Sequence, residues 1–276
     1  MTAPTAPTAP PAYRSPHSGP RPNLAHAVAS EWTKLISVRS TLWTLGSLIA
    51  LVCGIGTLAI TQTSARDYEG MPFTAPAVFG LLVGQVPVMV LGVLTMTSEH
   101  GTGLIRTTFT AAPDRFRVLT AKYLVFTGTA FGVVAGSVGL VSLAAAIVHD
   151  GPAAGVHHPS EWAGAFYGSV YITLLGVLGL AIGALVRHSA GAIAVMIGII
   201  TLPPVIGAML TSWTVLAPVG TAVLRYNAPV ALMQLFGLPN GDGVGATSDG
   251  AQLMLLLLVA GAAVAGSYAV VGRRDV

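Results

Sequence analysis

Reactive side chains are sparse in this chain, and their spacing closes off most enzymatic chemistry. Lysine occurs twice, at Lys34 and Lys122, and neither follows a glycine. The Gly-x-x-x-x-Gly-Lys-Ser/Thr loop, whose backbone N–H groups cradle nucleotide phosphates, is therefore missing. No His-Glu-x-x-His run occurs. Ser137 stands in Gly136-Ser137-Val138-Gly139, which is not the Gly-x-Ser-x-Gly elbow of a nucleophilic serine, and no histidine lies in another apolar run to activate it. His149, Asp150, His157, His158 and Glu161 form a ligand-like cluster, but their spacing matches no standard zinc pattern, and the cluster reads as a solvated loop. The single cysteine, Cys53, cannot close an intrachain disulfide and reads as a small buried hydrophobe. No catalytic residue, metal site or cofactor site is expected, and the chain is not expected to be an enzyme.

The elements that carry these residues follow from composition. Of 276 residues, 53% are hydrophobic and 8% charged, against about 25% charged in an ordinary soluble domain. So few charges cannot clothe a soluble surface, and the net charge of +3 is too small and too scattered to mark a nucleic-acid reader. A membrane span needs about 20 apolar residues. Six stretches qualify: residues 42–61, 77–97, 123–148, 163–186, 190–210 and 251–271. They are continuous apolar runs rather than alternating ones, so the expected class is an all-α integral membrane protein and not a barrel. None of the six carries an acidic or basic residue in its interior.

Arg14, Arg21, Lys34, Arg39, Arg106, Arg115, Arg117, Lys122, Arg187, Arg273 and Arg274 all fall on one side of such a bundle, which makes eleven of the thirteen basic residues. Only Arg66 and Arg225 fall on the other. An excess of Lys and Arg marks the cytoplasmic face, so both termini are expected inside. Residues 215–238 are apolar enough to suggest a seventh span, but they contain Pro218, Arg225, Asn227 and Pro229, and a seventh crossing would place Arg273 and Arg274 outside. Residues 211–250 are read instead as an outer loop of broken helices dipping into the outer leaflet. Residues 1–23 repeat Thr-Ala-Pro and are rich in proline, which predicts a disordered cytoplasmic tail. The first apolar run begins only at Leu42, so no signal peptide is expected.

Three inner segments could carry mechanism. Asn23 is a candidate N-cap for a helix over residues 24–40. Leu24, Val28, Trp32 and Leu35 share one face of it, and His26, Ser30, Lys34 and Ser37 fall largely on another. This predicts an amphipathic interfacial helix with Trp32 at headgroup depth and Lys34 and Arg39 toward anionic lipid, acting either as a moving part or as a simple anchor. Residues 98–122 form the longest inner loop. Gly101 and Gly103 permit a sharp exit from the second span, residues 104–110 suffice for two helical turns, and Pro113-Asp114 makes a turn or cap before a helix starting at Arg115. Such a loop is either a lever between the second and third spans or a positive segment that only fixes topology. Arg187-His188-Ser189 is short enough to join spans four and five in a tight hairpin. Pro87, Pro203 and Pro204 should kink their spans, as a gate or as packing features. Glycines repeat every four residues at Gly80/Gly84, Gly128/Gly132/Gly136, Gly164/Gly168 and Gly179/Gly183, which suggests close helix packing within the bundle or between subunits.

Two stretches resemble a known family. Ser30-Glu31-Trp32-Thr33-Lys34-Leu35-Ile36-Ser37-Val38-Arg39-Ser40-Thr41-Leu42-Trp43 resembles the N-terminal region of membrane subunits of type-2 ABC exporters. Glu99-His100-Gly101-Thr102-Gly103-Leu104-Ile105-Arg106-Thr107-Thr108, followed by Pro113, Arg115, Arg117 and Ala121-Lys122, resembles the same family's loop after the second span. The resemblance implies that the amphipathic helix bearing Trp32, Lys34 and Arg39 is an elbow helix. It implies a coupling helix in the inner loop that docks on a separate cytoplasmic ABC ATPase subunit. Glu99, Gly101, Thr102, Gly103, Leu104, Arg106, Thr107 and Thr108 are then the candidate coupling residues, with Glu99 and Arg106 contacting the ATPase groove or bracing the loop. A second permease copy, ATP hydrolysis in the partner, a plasma-membrane location and a hydrophobic or amphipathic cargo complete the expectation. The alternative is a non-transporting membrane scaffold or sensor that binds a cytoplasmic partner.

Overall fold

The computed structural model of the chain describes residues 23–64, 71–101, 114–149, 159–238 and 249–273. Among the described residues there are nine helices and no strand: α1 (Leu24–Ser37), α2 (Arg39–Gln62), α3 (Ala75–Gly101), α4 (Arg115–Val148), α5 (Ser160–Val186), α6 (Ser189–Thr211), α7 (Ala217–Arg225), α8 (Ala228–Leu235) and α9 (Asp249–Arg273). Six of them, α2, α3, α4, α5, α6 and α9, are long and apolar enough to cross a bilayer. The chain is a multi-pass, all-α membrane protein. The helices overrun the apolar runs at their ends, most of all in α4, whose 34 residues begin well before the run at 123.

Local chemistry sets the helix ends. The Asn23 side chain accepts a hydrogen bond from the His26 backbone N–H at 3.0 Å, and the His26 ring faces the Asn23 N–H in return, closing a capping box at the start of α1. Val38 is extended, and this single residue turns the chain from α1 into α2. Asp114 caps α4 by accepting from the Arg117 N–H at 3.1 Å, at the boundary that Pro113-Asp114 predicts. Arg187 ends α5 with φ of 59°, and His188 caps α6 by accepting from the Gly191 N–H at 3.1 Å. The left-handed residue and the cap together make the tight hairpin between spans four and five. Within residues 211–250, Pro218 and Pro229 lie in the first turns of α7 and α8, where a missing N–H costs nothing. The α7 helix folds back on α6, and α8 packs on α5 and α9, so this segment is a pair of short helices resting on the bundle.

Helices α3 and α5 form the buried centre, and α2, α6 and α9 lie further out. The central pair approaches closely because glycines face backbone. A Cβ at Gly179 would sit 2.8 Å from the Met89 carbonyl oxygen, and one at Gly183 would sit 2.9 Å from that of Val93. Gly92 of α3 meets the Gly176 carbonyl in the same seam. Gly80 and Gly84 seat α3 on Val52 of α2, and Gly164 and Gly168 seat α5 on Leu235 and Phe236. The stripe at Gly128, Gly132 and Gly136 differs. An added Cβ meets nothing within 4 Å at any of the three, so this stripe packs on no described residue of its own chain.

Gly179→Val should therefore lower stability by about 1–3 kcal/mol or more through overpacking against backbone that cannot yield. Gly132→Ala should be neutral or stabilising by about 0.5–1 kcal/mol, since it only removes backbone entropy. Thermal melting of the detergent-solubilised chain checks both, and equal effects at the two positions would contradict the packing described.

Candidate functional site

The end of the bundle where the basic residues fall holds four charges in mutual contact, three of them largely buried. Glu31 and Lys34 lie three residues apart on α1, one above the other on the same face. Glu99 sits in the last turn of α3, and Lys122 two turns into α4. The Lys34 ammonium donates to Glu31 Oε1 at 2.6 Å and to Glu99 Oε1 at 3.2 Å. The Lys122 ammonium donates to Glu31 Oε2 at 2.6 Å and to Glu99 Oε1 at 2.9 Å. The four groups thus form a closed ring of alternating sign that ties three helices together.

Burial makes the ring energetically consequential. The side chains of Lys122, Glu31 and Glu99 are 4%, 6% and 10% exposed, while Lys34 is 38% exposed. Removing one ion from water costs several kcal/mol even after relaxation. The ring offsets this because each charge touches two of opposite sign and the set is neutral. Burial alone would pull the Lys34 ammonium down, but the hydrogen bond and charge of Glu31, with the charge of Glu99, outweigh it and hold the group above its ordinary value of 10.5. By contrast the Asp114–Arg117 pair at 2.9 Å is largely exposed and adds little beyond the cap.

Helix α4 is held from its other side as well. Thr120 Oγ1 and the Tyr268 hydroxyl lie 2.8 Å apart, and the Tyr123 hydroxyl and Ser267 Oγ 2.9 Å apart. Tyr268 of α9 also stacks between Phe116 and Tyr123. The base of α4 is therefore pinned by charge toward α1 and α3, and by hydroxyls and aromatic rings toward α9.

The structure sorts the sequence-predicted residues clearly. Glu99 and Lys34 join the ring. The Lys34 ammonium, expected toward anionic lipid, also reaches two carboxylates, and its side chain stays partly accessible. The apolar face expected of α1 also divides. Leu35 is buried beside Glu31, whereas Leu24 and Trp32 are exposed, Trp32 at 48%, because the docking face is centred on Glu31 rather than on the apolar side chains. Arg39 is exposed at the first position of α2. Gly101 is the last residue of α3. Thr102, Gly103, Leu104, Arg106, Thr107 and Thr108, and with them the expected coupling helix, lie outside the described residues. Pro87 lies inside α3 and Pro203 and Pro204 inside α6, with helix on both sides, and none of them borders the pocket beside the ring. His149 and Glu161 of the outer cluster serve separate contacts: a His149 ring nitrogen lies 3.2 Å from the Ile60 carbonyl oxygen, and Glu161 accepts from the Phe73 N–H at 2.8 Å. Asp150, His157 and His158 lie outside the described residues.

Sequence reasoning quoted Glu31 and Lys122 within the resembling stretches but named neither as a site residue. A signal was available: the only two lysines of the chain and the two glutamates of its inner side all belong to this ring. Fold and site together define a polytopic helical membrane protein with an ion-paired inner base. Comparison with protein-family models found no match, and comparison with curated proteins found none.

Two outcomes follow from the ring. Lys122→Met should cost about 3–5 kcal/mol by stranding buried carboxylates, and adding Glu99→Gln should recover at least half of that loss. Simple additivity in the melting temperatures of the two single variants and the double variant would contradict a coupled ring. The second outcome concerns pH. A group whose pKa is raised on folding contributes stability that is complete below its ordinary value and lost as pH rises through the raised one. The melting temperature should therefore hold up to about pH 10 and fall above 10.5, and Lys34→Arg should move that fall to higher pH. A fall already complete at pH 9 would contradict it.

Proposed function

We propose that the chain is the membrane-spanning permease subunit of a type-2 ABC exporter, working with a separate cytoplasmic ATP-binding subunit and a second permease copy. The single observation that carries the proposal is the buried ring at the foot of α3 and α4. These helices flank residues 102–113, and the ring also holds the N-terminal helix. A push delivered to that segment acts on helix ends already joined into one rigid body with α1, so force reaches the bundle rather than being absorbed locally. The resemblance at residues 30–43 and 99–108 supports the same assignment, as does the lack of any phosphate-cradling loop in the chain. The concentration of basic residues at the inner end supports placement in the plasma membrane with that end in the cytoplasm. Spans without interior charge favour a hydrophobic or amphipathic cargo.

Co-purification tests the reading. The chain should form a stable complex with an ATP-binding subunit and move solute in vesicles only when that subunit and ATP are present. Replacing residues 104–110 by a Gly/Ser linker should bring coupled transport to background while the six-helix bundle still assembles. Transport by the purified chain alone, or coupling that survives the linker, would overturn the assignment.

A further inference from the structure

Beside the ring, α1 and the first turns of α2 enclose a pocket of about 290 Å³ against the last turns of α3. Its two ends differ in chemistry. The four ring residues and the hydroxyls of Ser40 and Thr41 line one end, and Leu91, Leu94 and Val125 line the other. Glu99 and Leu91 are eight residues apart on α3, roughly 12 Å along the axis. Over that distance the lining passes from charge to hydrocarbon, in the direction that leads from headgroup depth into the bilayer. Of the remaining hydroxyls, Ser98 adjoins Glu99 at the charged end, and Thr44 and Thr95 donate to the Ser40 and Leu91 carbonyls of their own helices.

The accessible charge in the pocket is positive. Lys34 is the ring member with an exposed side chain, at 38% against 10% or less for the other three. An ammonium has three donors, and two of those on Lys34 are spent on Glu31 and Glu99, which leaves one. The carboxylates face inward, and both Glu31 oxygens and Glu99 Oε1 already accept from lysine. A cationic head would meet the most exposed charge, the Lys34 ammonium, with like sign, whereas an anionic head finds a proton donor with Ser40 and Thr41 beside it. The volume also discriminates. The pocket is many times the space that one structural water needs. It fits a phosphoryl head and the upper part of one chain, with the rest left in the bilayer.

We propose that this pocket binds one anionic phospholipid of the inner leaflet, its phosphate at Lys34, Ser40 and Thr41 and one acyl chain against Leu91, Leu94 and Val125. The site is independent of any motor subunit, so its test stands apart from that of the transport reading. The full chain, purified in maltoside, is titrated with dioleoylphosphatidylglycerol, dioleoylphosphatidylcholine and glycerol 3-phosphate, and bound molecules are read by native mass spectrometry. Phosphatidylglycerol should be retained about fivefold better than phosphatidylcholine, the size of one lysine–anionic-lipid contact. Leu94→Trp fills the apolar end and leaves all four charges in place, so it should lower phosphatidylglycerol retention by about the same factor or more without changing the melting temperature. Lys34→Gln should bring the two lipids to parity. Equal retention of both lipids by the wild type, which needs no variant, would overturn the proposal. So would competition by glycerol 3-phosphate as effective as that of the lipid, which would make this a site for free phosphate, or unchanged retention in Leu94→Trp.

Discussion

Four ionised groups with little water around them have few arrangements that do not cost more than a small domain can supply. Glu31, Lys34, Glu99 and Lys122 adopt one of these, an alternating ring in which no charge lacks two opposite neighbours. The consequence is geometric as well as energetic. The two long-range links join residues 65 and 91 positions apart, and they leave the register of α1 against α3 and α4 almost no freedom. Sliding any one helix by a turn would strand a buried charge. Replacing a buried ion cluster by well-packed hydrocarbon is often as stable, so the distinct effect of the ring is to tie particular helix ends together.

The rest of the bundle supplies a frame for that base by different means. Along the spans there is no charge to use, and lipid offers no hydrophobic drive between helices. Backbone contact takes its place. The seam of Gly92, Gly176, Gly179 and Gly183 brings α3 and α5 close enough for main chain to touch main chain, and it makes this pair the keel on which α2, α4 and α9 lean. The glycine stripe of α4, with identical spacing, faces away from every described neighbour. The same four-residue repeat therefore marks a seam on one helix and an open face on another.

How much of this could be read from sequence depends on the range of the interaction. The six spans were legible because hydropathy is summed over some twenty adjacent residues, and the caps at Asn23 and Asp114 because they act over three. The kind of contact at Gly179 was legible too, but its partner was not. Residues 211–250 were expected as broken helices, and within them α7 and α8 are short helices with Pro218 and Pro229 in their first turns. The face by which α1 docks on the bundle was not legible, because no apolar stripe marks it. Charge complementarity with distant helices decides that face instead, and nothing within residues 24–40 reveals where Glu99 and Lys122 lie. Residues 104–108, on which much of the coupling expectation rests, fall outside the described structure.

The length of α4 has a consequence of its own. Lys122, clamped in the ring, stands seven residues from the start of this 34-residue helix, which leaves an inner arm of about 10 Å and an outer arm of about 39 Å to Val148. A rod pinned so near one end amplifies. A sideways displacement of ~1 Å at Arg115 swings the far end by roughly 4 Å if the pin holds and the helix stays straight. The ratio of the two arms is set by where along the helix the lysine falls.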